Sequence, residues 1–360
     1  MPASRFNRQQ LAIMTVIVAL LAYLSLWPVA ISPTAWQPPT NLGYQGVYQA
    51  NDKLSQLTLI TTPSAGPEAV AVNRHGQLYF GLSNGDIARL NGQQVEIVGN
   101  TGGRPLGLRF DKHDNLYIAD PLRGLLRLSR DGQLQTLLTE VAGKPLLYAN
   151  SVAISRDGSI YLSESSQRHS AAQYGVFAAS LLDINEHRGS GRIIRYRPSD
   201  GHSEQLYSGI NFANGIELID NEQGLLVVET GSYRLLKLHL TGARQGQTEV
   251  FIDNLPGFPD NLSRGADGTY WLGLVSPRNG LLDWMADKPV LRTVVERLPA
   301  WLRPKPQRYG HLLGLNSNAE IRANLQDPSG RFAFVTGAAA HGDKLYLSSL
   351  HDSAIGIWQR

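Results

Sequence analysis

The sequence predicts an all-β fold, a six-bladed β-propeller carried on an N-terminal transmembrane helix. Three observations predict it. A unit of short apolar strand, Gly- or Asp-containing turn and second strand recurs six times, the pattern of propeller blades of roughly 40 or more residues. The 36 glycines sit at turns between short apolar runs, which favours strands over helices. The stretch from Leu11 to Trp27 carries no charge. With 360 residues, 42% of them hydrophobic, the chain can bury a large core.

The N-terminal run continues from Leu11 through Ile31, reaching the ~20 residues that a membrane helix needs. A cleaved signal peptide has an apolar region of ~7–15 residues and a small-residue cleavage site; this run is longer and no clean site follows. Arg5 and Arg8 precede it, so the positive-inside rule places the N-terminus in the cytoplasm. The reading is therefore residues 1–10 cytoplasmic, 11–31 an uncleaved single-pass anchor, 32–50 a linker and 51–360 the propeller, on the periplasmic or extracellular side. Ser32 to Pro39, with three prolines, reads as a stiff spacer.

The units follow in order. Ala69–Val72 and Leu78–Phe80 flank His75-Gly76. Leu106–Phe110 and Leu116–Ile118 flank Asp114-Asn115. Val152–Ile154 and Ile160–Leu162 flank Asp157-Gly158. Ile216–Leu218 and Leu225–Val228 flank Gln223-Gly224. Leu262 and Tyr270–Leu272 flank Asp267-Gly268. Val335 and Leu345–Leu347 flank Gly342-Asp343. The last unit is short of a strand, and Leu54–Thr61 precedes the first. That early strand is expected to complete the last blade, closing the ring and removing an exposed edge. A sandwich or two smaller sheets would not account for the repeated turn chemistry. Two insertions break the period: Ser165–Ser190, read as a polar surface excursion, and Leu281–Leu302, whose helical spacing would cap one face.

Several function classes are excluded. A net charge of +3 with no Lys/Arg block gives no basis for nucleic-acid binding. The absence of cysteine excludes disulfides, thiolate metal sites and a cysteine nucleophile. Ser163-Glu164-Ser165-Ser166 lacks the G-x-S-x-G elbow of a serine hydrolase. His187 and His202 fall in polar segments expected to be exposed, and His311 is a weaker candidate for the axis.

Four segments open a unit in the same way, each setting an oxygen-bearing side chain just before an alternating apolar run. They carry Glu68, Asn150, Asn214 and Asp260, the last in Gly257-Phe258-Pro259-Asp260-Asn261. A lone Asn or Asp at such a place is ordinarily a turn or strand-end cap. Equivalent places in a closed ring converge on its axis. Two carboxylates and two amide carbonyls there would suit a hard divalent cation, calcium above all. Asp260 is also a candidate to activate water or attack directly, Asn261 to orient substrate, and His341 to shuttle a proton. Arg104 either guides an anionic substrate or serves as an ion-pair partner.

Gly103-Arg104-Pro105-Leu106-Gly107, Phe212-Ala213-Asn214-Gly215, Val228-Glu229-Thr230 and Leu255-Pro256-Gly257-Phe258-Pro259-Asp260-Asn261 resemble the strictosidine synthase-like family, in particular its branch with an N-terminal anchor and an external domain. More distantly the pattern is similar to the calcium-dependent six-bladed propellers: paraoxonases, diisopropylfluorophosphatase and gluconolactonases. That resemblance implies a metal site of Glu68, Asn150, Asn214 and Asp260. The chain also departs from these families. The synthase's catalytic Glu stands before a His in the sixth blade, where this chain reads Ala340-His341; amine–aldehyde condensation is therefore disfavoured. The paraoxonase His near the second inner strand is matched by Leu106, the Asn-Asp of the third blade by Asn150-Ser151, and the Cys pair of the branch is absent. The expected function is calcium-dependent hydrolysis of a small-molecule lactone or aryl ester. The alternative is a non-catalytic propeller that binds a protein or small ligand around a structural metal. A propeller is complete as a monomer.

Overall fold

The computed structural model describes residues 7–360. Six four-stranded antiparallel sheets make the blades. Their inner strands are Val70–Val72, Gly107–Phe110, Ala149–Ile154, Ala213–Ile219, Gly257–Arg264 and Val335–His341. The ring closes as expected: Thr58–Thr61 pairs antiparallel with Ala354–Gln359, Thr58 opposite Ile357, and becomes the outer strand of the sixth blade.

Alternation within each strand gives every sheet two apolar faces, and each face packs on a neighbour. Leu78, Phe80 and Ala88 of blade 1 meet Ile355 of blade 6, which seals the ring across the closure. At the interface of blades 4 and 5, Leu226, Val228 and Leu235 pack against Leu262, Tyr270 and Leu272.

Helices cover one end of the ring. The first insertion is not a surface excursion. It folds into α2 (Ala171–Tyr174) and α3 (Val176–Glu186), with Ala171 and Ala179 packed against Leu106, Tyr148 and Phe212. Its polarity does not mark exposure, because Asp183 and Glu186 are buried as bonding groups. Ser166 and Ser190 donate to Asp183, while His169 and Arg168 bind Glu186. The second insertion forms α4 (Gly280–Met285) and α5 (Pro289–Arg297) over the same end.

The N-terminal helix runs from Arg8 to Leu26; with the chain described from Asn7, Arg5 lies outside the described residues. At 1.5 Å per residue it spans roughly 28 Å, close to the hydrocarbon thickness of a bilayer. It stops before Ile31 because Pro28 lacks an N–H and forces Trp27 out of the helical region. The linker is not a free spacer. Ile31 is buried, and Ser32 N–H donates to Glu186 Oε1 at 2.7 Å. Thr34 N–H donates to the Glu186 carbonyl, and Arg292 holds the Thr34 carbonyl. Trp36 stacks on His187 at 4.0 Å, so His187 is not exposed; burial, then Arg292 and Arg234, hold its pKa at about 3.

Glu186 thus clamps linker to cap. Burial alone would raise its pKa, but hydrogen bonds from His169, Arg168 and Ser32 outweigh that and hold it at about 2 against a usual 4.5. A carboxylate with a depressed folded pKa contributes stability that is present above its unfolded value and lost as pH falls through the folded one. Glu186→Gln should therefore cost roughly 3 kcal/mol at pH 7. It should also flatten the loss of stability between pH 4.5 and about 2. Thermal melts of both proteins across that range test this; parallel curves would show the clamp to be energetically idle.

Candidate metal centre and cavity

Inner strands of blades 3 to 6 do not start as regular ladders. Register shifts fall between Ala149 and Ser151, between Ala213 and Ile216, between Pro259 and Leu262, and between Val335 and Gly337. Such bulges re-aim a side chain out of the pleat, and they occur where Asn150, Asn214 and Asp260 stand. Blade 2 has an unbroken ladder from Gly107 and puts Leu106 at that level. A second device recurs two residues ahead of the ring position. Gly66, Phe212 and Phe334 all have positive φ, at 64°, 60° and 54°. For the two phenylalanines, both of which line the cavity, this costs about 1–3 kcal/mol each.

Glu68, Asn150, Asn214 and Asp260 line one cavity of about 1150 Å³. All four are buried. The amides are held by hydroxyls in matching fashion. Asn150 Nδ2 donates to Ser165 Oγ at 2.9 Å, and Ser165 donates to the Ala213 carbonyl at 2.8 Å. Asn214 Nδ2 donates to Thr230 Oγ1 at 3.2 Å, and Thr230 donates to the Pro259 carbonyl at 2.7 Å. Each hydroxyl therefore orients one ring amide and ties it to the backbone just before the next ring residue. With the nitrogens engaged, Oδ1 of Asn150, Oδ1 of Asn214 and Oδ1 of Asp260 are buried without a hydrogen-bond partner. Unmatched buried oxygens are costly, and three around one cavity are what a cation ligand set looks like before its ion is counted.

Electrostatics point the same way. Burial, then the charge of Glu68, pushes the Asp260 carboxyl well above the usual range. Burial also raises Glu68, which Arg104 partly offsets with a bond to Oε2 at 2.9 Å. Both carboxylates, and the phenol of Tyr148, raised by burial and then by these two charges, would be relieved by a positive charge in the cavity. The donor set of two carboxylates and two amide oxygens fits a calcium-type ion. Among the described residues no group of three or more His, Cys, Asp or Glu gathers as a ligand set, and this cavity contributes two, Glu68 and Asp260, with the two amides beside them.

Not every predicted site residue arrives. His341 lies at the far end of the sixth inner strand, exposed and beside Gly76. Six residues of strand put it roughly 20 Å from Val335 at the cavity end. The sixth blade instead presents His351, which follows its second strand and stands edge-on to Phe177 and Phe334. Burial, then Arg104, holds that imidazole below its usual pKa. The Ala340-His341 pair is therefore not the cavity's counterpart of a Glu–His pair; position along a strand, not sequence order within a blade, decides which residues face the cavity. Asn261 donates to the Glu68 carbonyl at 3.0 Å and lines a separate, smaller cavity of about 290 Å³. Arg104 does line the large cavity, as the partner of Glu68. His311 is buried in the third strand of blade 5, bonded to Asn324, with its pKa held at about 3 by burial.

Comparison with known proteins places this arrangement. Residues 46–90 match the strictosidine synthase-like N-terminal family model and residues 139–243 the strictosidine synthase model. The adipocyte plasma membrane-associated protein of Salmo salar is 30% identical over 331 residues, covering 84% of this chain and 78% of that protein. The strictosidine synthase-like 10 protein of Arabidopsis thaliana is 30% identical over 383 residues, covering 96% and 97%. Among solved structures, a gluconolactonase from Xanthomonas campestris superposes with a TM-score of 0.60 at 14% identity, covering 85% of this chain and 90% of that one. Regucalcin from Agrobacterium tumefaciens, described as a calcium-binding protein, gives 0.55 at 15% identity, covering 83% and 92%. These structural likenesses speak to the fold. On sequence, the chain belongs to the strictosidine synthase-like family, in company with the adipocyte plasma membrane-associated proteins.

Proposed function

We propose that this protein is a membrane-anchored, calcium-dependent hydrolase of lactones or aryl esters, with its propeller on the exported side. One observation carries the reading: unpartnered ring oxygens and two mutually repelling carboxylates lie in a large cavity whose other walls are mostly apolar. When bound, calcium supplies Lewis acidity toward a carbonyl oxygen and the charge that accumulates on it.

The chain's own residues do the rest. Glu68 and Asp260 balance the divalent charge, and Asn150 and Asn214 complete the oxygen set. Ser165 and Thr230 keep both amides turned inward. Arg104 fixes Glu68. His351, at the cavity wall with its imidazole held below the usual pKa by partial burial and then by Arg104, can take the proton of an attacking water and return it to the leaving alkoxide or phenoxide. One water is consumed, and the product is a single hydroxy acid from a lactone or an acid and a phenol from an aryl ester. Phe177, Phe212, Phe258 and Phe334 receive the aryl or acyl part and exclude bulk water. From the sixth blade the cavity receives Phe334, Leu350 and His351, an imidazole and no carboxylate, which disfavours amine–aldehyde condensation.

The test is hydrolysis of phenyl acetate and a γ-lactone with calcium and with chelator, following thermal stability in the same samples. Chelator should remove turnover and calcium restore it. A calcium-dependent rise in melting temperature without turnover on any ester or lactone would instead make this a binding propeller with a structural metal.

A further inference from the structure

The covered end of the ring carries a group of exposed apolar side chains. Trp284 on α4 is 58% exposed, Val290 on α5 75% and Trp301 just after it 71%. Leu281, Leu291 and Leu302 are exposed beside them. Surface residues of this size, grouped on neighbouring elements, mark an interaction face. The membrane helix reaches this same face. Arg297 of α5 donates to the Leu24 and Trp27 carbonyls, and Tyr23 Oη donates to the Arg297 carbonyl. The Ile31–Trp36 segment is then strapped to the cap through Glu186 and Arg292. No slack remains for the cap to stand away from the bilayer in which that helix lies.

Two cavities share a wall here. A groove of about 370 Å³ runs between the end of the membrane helix and α5. Ala30, Glu296, Ala300 and Arg303 line both this groove and the large cavity. Trp284 and Trp301 suit the interfacial level of a bilayer; of the basic residues flanking these elements, Lys288 and Arg303 are paired with Asp287 and Glu296, and Lys305 suits its anionic headgroups.

We propose that the cap rests in the membrane interface and that the cavity draws its substrate from the lipid phase, as an amphiphilic ester or lactone with a long acyl chain. The docking stands on the surface alone; the word ester rests on the hydrolase reading above. The occupant of the patch is the bilayer rather than a second copy, because the patch is continuous with the end of the membrane helix.

The chain contains no cysteine, so single spin labels can be placed without background. Val290→Cys, Trp301→Cys and, on an exposed turn at the opposite end of blade 2, Lys112→Cys would be labelled in the full chain. Each would be reconstituted in phosphatidylcholine–phosphatidylglycerol vesicles. Labels at 290 and 301 should collide with oxygen in preference to a water-soluble nickel chelate, and the label at 112 the reverse. Equal nickel access at all three positions would overturn the docking. So would spin–spin broadening at 290 or 301 that disappears on dilution with unlabelled protein, which would put a second copy on the patch. In the same vesicles p-nitrophenyl decanoate should be cleaved faster than the acetate by about tenfold or more, and Val290→Asp should reduce that preference while leaving acetate cleavage intact. Cleavage without chain-length preference would overturn the lipid-phase source. If no ester is cleaved, the hydrolase reading falls and with it the substrate claim, while the labels still decide the docking.

Discussion

Asp260→Asn is expected to move stability in opposite directions with and without calcium. In the metal-free protein Asp260 is buried and repelled by Glu68, which raises its carboxyl pKa. A carboxylate whose folded pKa lies above its unfolded value penalises folding at neutral pH. Removing the charge should therefore raise the melting temperature measured in chelator. With calcium present the same change deletes one of the two charges proposed to hold the ion. Affinity should fall by about a hundredfold or more, turnover by about a thousandfold, and the calcium-dependent rise in melting temperature should shrink or vanish. Calorimetric calcium titration with melts in both conditions distinguishes this from a packing role. A packing role would lower both melting temperatures together. Glu68→Gln should have the weaker effect on binding, because the Arg104 guanidinium already compensates part of the Glu68 charge.

Gly215→Ala should be among the most damaging small substitutions. Gly215 follows Asn214 on the fourth inner strand, where that strand passes the fifth. A Cβ there would lie 2.4 Å from Leu262 N and 2.7 Å from the Asp260 carbonyl oxygen. Both are backbone atoms, so no rotamer change relieves the overlap. A cost above about 4 kcal/mol is expected, the range reserved for broken packing or severe strain. Relief requires the two inner strands to separate, and these carry Asn214 and Asp260. Protein that still folds should bind calcium more weakly. Gly280→Ala is the control, since nothing lies within 4 Å of its added methyl. Urea melts and calcium titration of both variants test this; equal stability would mean that the strands are not in fixed contact.

Much of the fold was readable because it depends on local chemistry repeated along the chain. Turn dipeptides such as Asp157-Gly158 and Asp267-Gly268 mark where strands reverse, and apolar alternation marks the strands between them. The early strand could be assigned to the last blade because an unpaired edge is a liability in any closed sheet. Glu68, Asn150, Asn214 and Asp260 stood out because each occurs at the same phase of its unit.

The errors share a cause. His341 was assigned to the axis from its order in the sixth unit, yet a strand has two ends and only one of them faces the cavity. His351 carries no local signal: it follows a strand that otherwise looks like the second strand of any blade. Ser165–Ser190 looked exposed because it is polar, whereas Asp183 and Glu186 spend their polarity on buried bonds. Arg104 could not be assigned between substrate and ion pair until Glu68 was placed beside it.

By itself, then, the sequence determined the repeating unit, its number, the apolar N-terminal helix and the residues that a closed ring would bring to its axis, because each of these follows from patterns only a few residues long. The tertiary structure alone decided which end of each strand faces the cavity, how bulges and hydroxyls turn the amides inward, and how the insertions and linker roof the cavity beside the N-terminal helix. These depend on groups that meet across the ring, as Thr230 does with Pro259, Ser32 with Glu186 and Asn261 with Glu68. No spacing along the chain encodes which distant partner a buried polar group will find once the ring has closed.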